Sequence, residues 1–407
     1  MRDLSFSTTP ILFGVVLYIF TGCASLFPDK DKQIEKSDSL SEEALTQKIE
    51  AVDEEISNND PNADLLYQKG YLLGELAQKR KAPSNRTPLY QNMHDALINA
   101  KELFQNSEIP SGTQKVDDLL KVRWSNEHNQ GVQIIQTDSA LSDKQYQKAI
   151  AYFKNATIIL PDTTISYRMK GQTHYKHKDL EKAIATLETA HNHIPNLSAQ
   201  ILEQLAFMYL ENGQDKEAVA VYEKANSSSE ENLNLIHGLS NAYIKFGNHQ
   251  KAVELLRVLI ENEPGNIIYR QTQGTELYFL ASEHFERITG SSDSSFVADK
   301  LAQIDSLLAE AEVHYRKAHS ENPDEQSLTM SLVSFYQNSA SKYQRILPLI
   351  DEDFSKPVED KIETYLQQSI PLYKDVLAND PGNEDIRNKL FLTYTYLGME
   401  NEAQEFK

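Results

Sequence analysis

Four histidines in one short stretch, His174, His177, His191 and His193, are the nearest thing in this chain to a set of metal ligands. Imidazole nitrogens hold a transition metal only when several converge at about 2 Å from it. The apolar spacing around them predicts two helices joined by a turn, with the first pair beside the turn and the second at the far end. For about 14 residues of helix that separation is roughly 20 Å, so the four cannot share one ion. His191 and His193 alone would need ligands from elsewhere. No phosphate-cradling glycine loop, zinc-protease helix motif or nucleophile elbow occurs. Pairs of carboxylates carry no information in a chain with 60 acidic residues. The expectation is a protein that is not an enzyme, with no catalytic residue, no metal and no cofactor.

The acids outnumber 40 basic residues and leave a formal charge of -20, which opposes binding to phosphate backbones and anionic lipid heads. Nucleic acid is excluded as a partner on that ground. The excess acidity reads as solvated outer helix faces or as a docking surface for a basic partner.

The single cysteine, Cys23, follows Arg2 and an apolar run from Ile11 to Phe20. That run is too short to span a bilayer, which takes about 20 residues of helix, and suits the apolar core of a secretory signal. One cysteine cannot form an intrachain disulfide. The stretch Phe20, Thr21, Gly22, Cys23 resembles the bacterial lipobox, although Phe20 stands where Leu is usual and Asp3 offsets Arg2. The resemblance implies that Cys23 is the acylated first residue of the mature chain, in the cell envelope. Ala24 is similar to the residue found in lipoproteins sent on to an outer membrane, with the body of the protein facing the periplasm. An ordinarily cleaved signal and an uncleaved anchor are the alternatives. Ser25 to Asp38 is polar and charged and reads as a tether.

The elements that position everything else repeat. Ala149, Phe153, Ala156 and Pro161 recur 34 residues on as Ala183, Leu187, Ala190 and Pro195. One residue is inserted before Ala218, Tyr222 and Ala225; 34 further bring Ala252, Leu256, Leu259 and Pro264. Gly213 and Gly247 fall in the turns. Steps of three and four mark two helices per unit, and the small residues sit where one helix must approach another closely. The period and pattern resemble the tetratricopeptide repeat, which implies an all-α, right-handed solenoid of helical hairpins. Pro264 to Pro323 and Pro323 to Pro381 span 59 and 58 residues, so two units in the C-terminal half are elongated. They are expected to project as arms from one rim, with Tyr343 on an arm and a kink at Pro371.

The expected divisions are a signal peptide over 1–22, a tether over 23–38, degenerate hairpins over 39–115, repeat units over 116–266, two long hairpins over 267–381 and capping helices over 382–407. Ser39 and Glu42 are spaced as a capping box for the first helix, and 81–87 reads as a loop. In the resembled family the first helix of each hairpin lines a groove. Carried onto this sequence, the groove-facing residues are Arg168, Gln172, Tyr175, Lys176, Glu203, Phe207, Leu210, His237, Asn241, Ile244 and Lys245. An apolar centre flanked by mixed donors suits an extended peptide or a partner helix, while the basic and Asn set that clamps a terminal carboxylate is missing. The resemblance therefore implies a non-catalytic adaptor that holds a protein or peptide. A glycan or small-ligand binder with Tyr-rich walls, or a self-assembling structural lipoprotein, is the other reading.

Overall fold

The computed structural model describes residues 40–58, 62–136, 141–195, 197–227, 232–288 and 293–407. The signal segment, Cys23 and the tether lie outside the described residues. Those that are described are all-α, without a strand, and fall into two compact units, 40–227 and 232–407.

The first unit runs α1 (Glu42–Asn58), α2 (Ala63–Lys79), α3 (Thr87–Asn106), α4 (Pro110–Gln136), α5 (Asp143–Ile159), α6 (Thr164–Lys176), α7 (Leu180–His193), α8 (Ala199–Glu211) and α9 (Asp215–Ser227). Each helix of a hairpin packs on the next, and the crossing is set by what is missing. A Cβ placed on Gly131 of α4 would lie 2.8 Å from the Phe153 ring of α5, and one on Gly171 of α6 would lie 3.0 Å from the Leu187 side chain of α7. The large residue thus occupies the volume that the glycine vacates. Ala149, Ala183 and Ala218, on the second helices, are 0% exposed. Local chemistry starts and stops the helices: Asn62 and Asp179 accept from backbone amides at helix starts, and Ser142 with Gln145 forms a full capping box.

Ser41 caps α1 by accepting from the Ala44 amide at 3.2 Å, while Ser39, expected from sequence to form a capping box with Glu42, lies outside the described residues. The stretch expected as a loop before α3 contains a 3-10 turn, Pro83–Arg86. It is held by the Arg86 side chain, which donates to the Arg80 carbonyl at 2.8 Å and to Glu127 of α4 at 2.6 Å. Glu127, 1% exposed, also accepts from Tyr90 and Asn155. This satisfied polar network ties three helices together in place of an apolar contact.

The second unit runs α10 (Leu233–Phe246), α11 (His249–Asn262), α12 (Ile267–Ile288), α13 (Ser294–Glu321), α14 (Gln326–Ile346), α15 (Glu352–Asn379), α16 (Glu384–Tyr396) and α17 (Glu400–Gln404). The ladder continues through the insertions: Ala252, Ala311 and Ser369 are 0% exposed and Ala403 is 3%. Gly274 faces Tyr315, whose ring lies 2.9 Å from where a Cβ would stand. Helices α12 to α15 have 22, 28, 21 and 28 residues against 14 for α10 and α11. The two long hairpins pack against each other along their length. Phe285 of α12 meets Tyr343 of α14 edge to face at 4.9 Å, and Tyr343 stacks on Tyr365 of α15 at 6.1 Å. The Tyr343 hydroxyl donates to Asp305 of α13, and Glu286 of α12 is paired with both Lys342 and Arg345 of α14. Even the tips meet, through Ser294 and Asp351. The physical reason is the sequence's own: the added turns carry a full apolar stripe, and lateral packing is how it is buried. α15 runs as one helix through Pro357 and Pro371.

The turns between hairpin helices use a left-handed residue. Gly213, Gly247 and Gly398 have φ of 71°, 79° and 71°, and Lys178 takes the same place between α6 and α7 with φ 63°. A side chain there is strained. Lys178→Gly is expected to stabilise the protein by about 0.5 to 1 kcal/mol, read as a rise in the denaturation midpoint. Ala218→Trp is expected to destabilise by about 1 to 3 kcal/mol or more through overpacking; an unchanged melting curve would contradict the crossing geometry.

Candidate functional site

In the first unit the first helices of successive hairpins, α6 and α8, lie side by side and share a face. Arg168 of α6 donates to the Gln200 side chain of α8 at 3.0 Å. Two turns along, Tyr175 of α6 meets Phe207 of α8 edge to face, with ring centroids 5.9 Å apart. Between these two crossings lie Gln172 on one helix and Glu203 on the other, each one turn from its neighbours above and below. All six side chains named by sequence on this face other than Leu210, namely Arg168, Gln172, Tyr175, Lys176, Glu203 and Phe207, are half-buried. Leu210 is corrected: it is 7% exposed, a core residue rather than a lining one.

The second unit presents the corresponding face on α10, α12, α14 and α16. His237 and Asn241 are joined at 3.0 Å, and the other ring nitrogen of His237 lies 3.2 Å from the Tyr269 hydroxyl of α12. Ile244 is half-buried and Lys245 exposed. The structure extends this face beyond the residues named from sequence. Gln271 donates to Ser331, Gln337 donates to Ser369 and Thr393, and Leu392 and Tyr396 of α16 are exposed large side chains. The signal that could have found them was the same register carried across the two insertions, 34 and then 59 and 58 residues.

Burial tunes the charges. The Glu203 carboxyl is pushed above the ordinary range by burial. His237 is pushed down by burial. The four histidines of the sequence do not converge, and among the described residues no group of three or more metal-ligating side chains occurs. His174 is buried and bonded to the Tyr146 hydroxyl at 2.9 Å, His177 stacks on the Tyr146 ring at 3.7 Å, and His193 bonds the Thr189 carbonyl. The tyrosines expected to wall a sugar pocket are largely spent in the core: Tyr90, Tyr336, Tyr343 and Tyr373 are fully buried. Two shallow concavities of about 310 and 260 Å³ lie elsewhere, one by Phe104 and Ile109, the other among Gln250, His284 and Gln303.

Antiparallel helical hairpins, stacked with a small residue at each crossing, define the class of α-helical repeat proteins. A family profile described as tetratricopeptide repeat matches residues 209–274, within a chain whose described residues form an all-α stack of such hairpins. Anaphase-promoting complex subunit 6 of Arabidopsis thaliana is 31% identical over 107 residues, which cover 25% of this chain and 20% of that protein. The chain thus spans about a fifth of that relative's length, 20%. Among solved structures, MamA is similar at 18% identity over 54% of this chain and 92% of its own, with a TM-score of 0.36. YrrB, described as a TPR protein with an unusual peptide-binding site, is similar at 18% identity over 55% of this chain and 93% of its own, with a TM-score of 0.37.

The histidines respond to pH in two opposite ways, burial lowering most of them and a carboxylate partner raising His249. In the first unit burial pushes His128 and His174 down to about 4. The unfolded chain then takes up protons more readily than the folded one, so stability held above about pH 6.5 falls as pH drops toward 4. In the second unit the Glu276 carboxylate, 2.7 Å from His249, raises that imidazole above its usual value. Its contribution is present below the unfolded value and is lost as pH rises through the folded one. Denaturation between pH 4 and 8 checks both: His174→Gln should flatten the acid-side loss, and His249→Gln the loss on the neutral side.

Proposed function

We propose that this protein is a non-catalytic adaptor which holds an extended peptide segment of a protein partner on the first-helix faces of its hairpins. The observation that carries this reading is the α6–α8 face, where the Tyr175–Phe207 contact leaves aromatic surface half-exposed between two hydrogen-bonding positions. Half-exposed aromatic groups flanked by donors and acceptors are what an extended chain uses, one pocket for every second side chain and polar groups for its backbone. A face already formed in the free protein lowers the ordering cost on the protein's side of the complex. The long hairpins serve as structure: Tyr343 is 1% exposed and offers no contact.

The reading extends to place. The apolar run ending at Phe20 and the single cysteine after it support an envelope lipoprotein acylated at Cys23, with the repeats on the periplasmic side of an outer membrane. A lipid anchor confines the adaptor to a surface and raises the effective concentration of whatever it recruits. A photoreactive residue at Phe207 in the full chain is expected to cross-link one principal protein in cells, while one at the exposed Val313 of α13 captures none above background. Cys23→Ser is expected to abolish labelling by a fatty-acid precursor and release the protein from membranes. Unchanged labelling would sink the anchor, and equal capture at both probe positions would sink the adaptor face.

A further inference from the structure

Glu203 carries a charge that nothing among the described residues answers. Several carboxylates that leave water in this chain meet a basic group: Glu75 meets Arg123, Glu127 meets Arg86, and Glu276 meets His249. Glu203 is half-buried on α8, and no hydrogen bond or ion pair reaches it among the described residues. Taking a carboxylate out of water without a counter-charge costs free energy that the free protein does not recover. What surrounds it is suited to a cation. Phe207 is one helical turn away on the same helix, and its ring is held against Tyr175 of α6 at 5.9 Å. Aromatic rings attract ammonium and guanidinium groups and bury the methylene stems that carry them. On the other side, Arg168 is satisfied by the neutral Gln200 side chain, so it does not neutralise Glu203.

We infer that the α6–α8 face holds a basic side chain of the bound segment, a lysine or arginine. Its charged head bonds to the Glu203 carboxylate, and its stem lies along Tyr175 and Phe207. This rests on the peptide-adaptor reading and gives it a specificity: at this subsite a neutral or acidic side chain leaves Glu203 desolvated and unpaired. The acidic balance of the whole chain, -20, acts in the same direction by drawing basic segments toward the protein at low ionic strength.

The test uses the full chain and a displayed library of random octapeptides, selected for binding and then synthesised with blocked ends. The expected result is peptides with a basic residue whose replacement by Gln weakens binding about tenfold or more. Glu203→Gln should weaken the parent peptide by a similar factor, and the Gln peptide should bind the Glu203→Gln protein no worse than it binds the native one. Without ligand, Glu203→Gln should raise the melting temperature at pH 7 and make no difference below the carboxyl's titration, which also establishes that the variant folds. Glu203→Lys should reverse the preference, binding the peptide with Glu in place of the basic residue better than the parent. Peptides that bind at Phe207 but ignore both changes would overturn the subsite and leave the adaptor reading intact. If no selected peptide is weakened by Phe207→Ala, the adaptor reading falls and the subsite with it.

Discussion

Everything in this molecule depends on how closely two helices can approach at one point per hairpin. Gly131, Gly171 and Gly274 leave room that Phe153, Leu187 and Tyr315 fill, and the buried alanines on the partner helices remove the other obstacle. A methyl group at such a point would push the helices apart, and the displacement would pass to each neighbouring helix in turn, because each packs on the next. Close packing of this kind needs no large central core. It lets a chain of 407 residues fold as a sequence of local contacts, each formed between segments near one another in sequence. The same contacts hold α6 and α8 side by side, which is what brings Tyr175 to Phe207.

This explains which features could be read from the sequence. The crossings are written in residue type and spacing, so the period from Ala149 to Ala252 yields the hairpins, the turns at Gly213 and Gly247, and the two lengthened units. What could not be read is what two adjacent stripes do with each other. The stripe that includes Phe285 and the one that includes Tyr343 each mark a long helix, but their periodicity is silent on whether the hairpins stand apart or pack together. The cap at Ser41 has no capping-box partner to announce it, since the residue three positions on is Ala44. Lys178 was invisible as a turn residue because its left-handed backbone is imposed by the hairpin against its own preference.

The candidate face was legible as a register and illegible as an energy. Counting from the crossing residues gives Arg168, Glu203 and Phe207 as outward positions, and it gives Leu210 by the same rule, although Leu210 is buried. Which of these positions is solvated, which is paired and which is left with an unanswered charge depends on neighbours contributed by another helix. Arg168 finds Gln200 while no hydrogen bond or ion pair reaches Glu203 among the described residues, and no single-helix pattern distinguishes them. Composition was similarly mute on the tyrosines, most of which are buried within one unit or the other.

The welding of the long hairpins bears on how the protein comes apart. One continuous apolar cluster runs from Val253 through α12, α13, α14 and α15 to Ala403, with Glu286, Asp305 and Asp351 stitching the hairpins along their length. In a stack of equal repeats, each unit can open with only its neighbours' consent, and the ends fray first. Here the shared core removes that freedom, so amide hydrogens from α12 to α15 should exchange together as one cooperative block. The short hairpins from α6 to α9, joined by smaller contacts, can breathe one at a time. Opening thus proceeds hairpin by hairpin over α6 to α9 and all at once over α12 to α15.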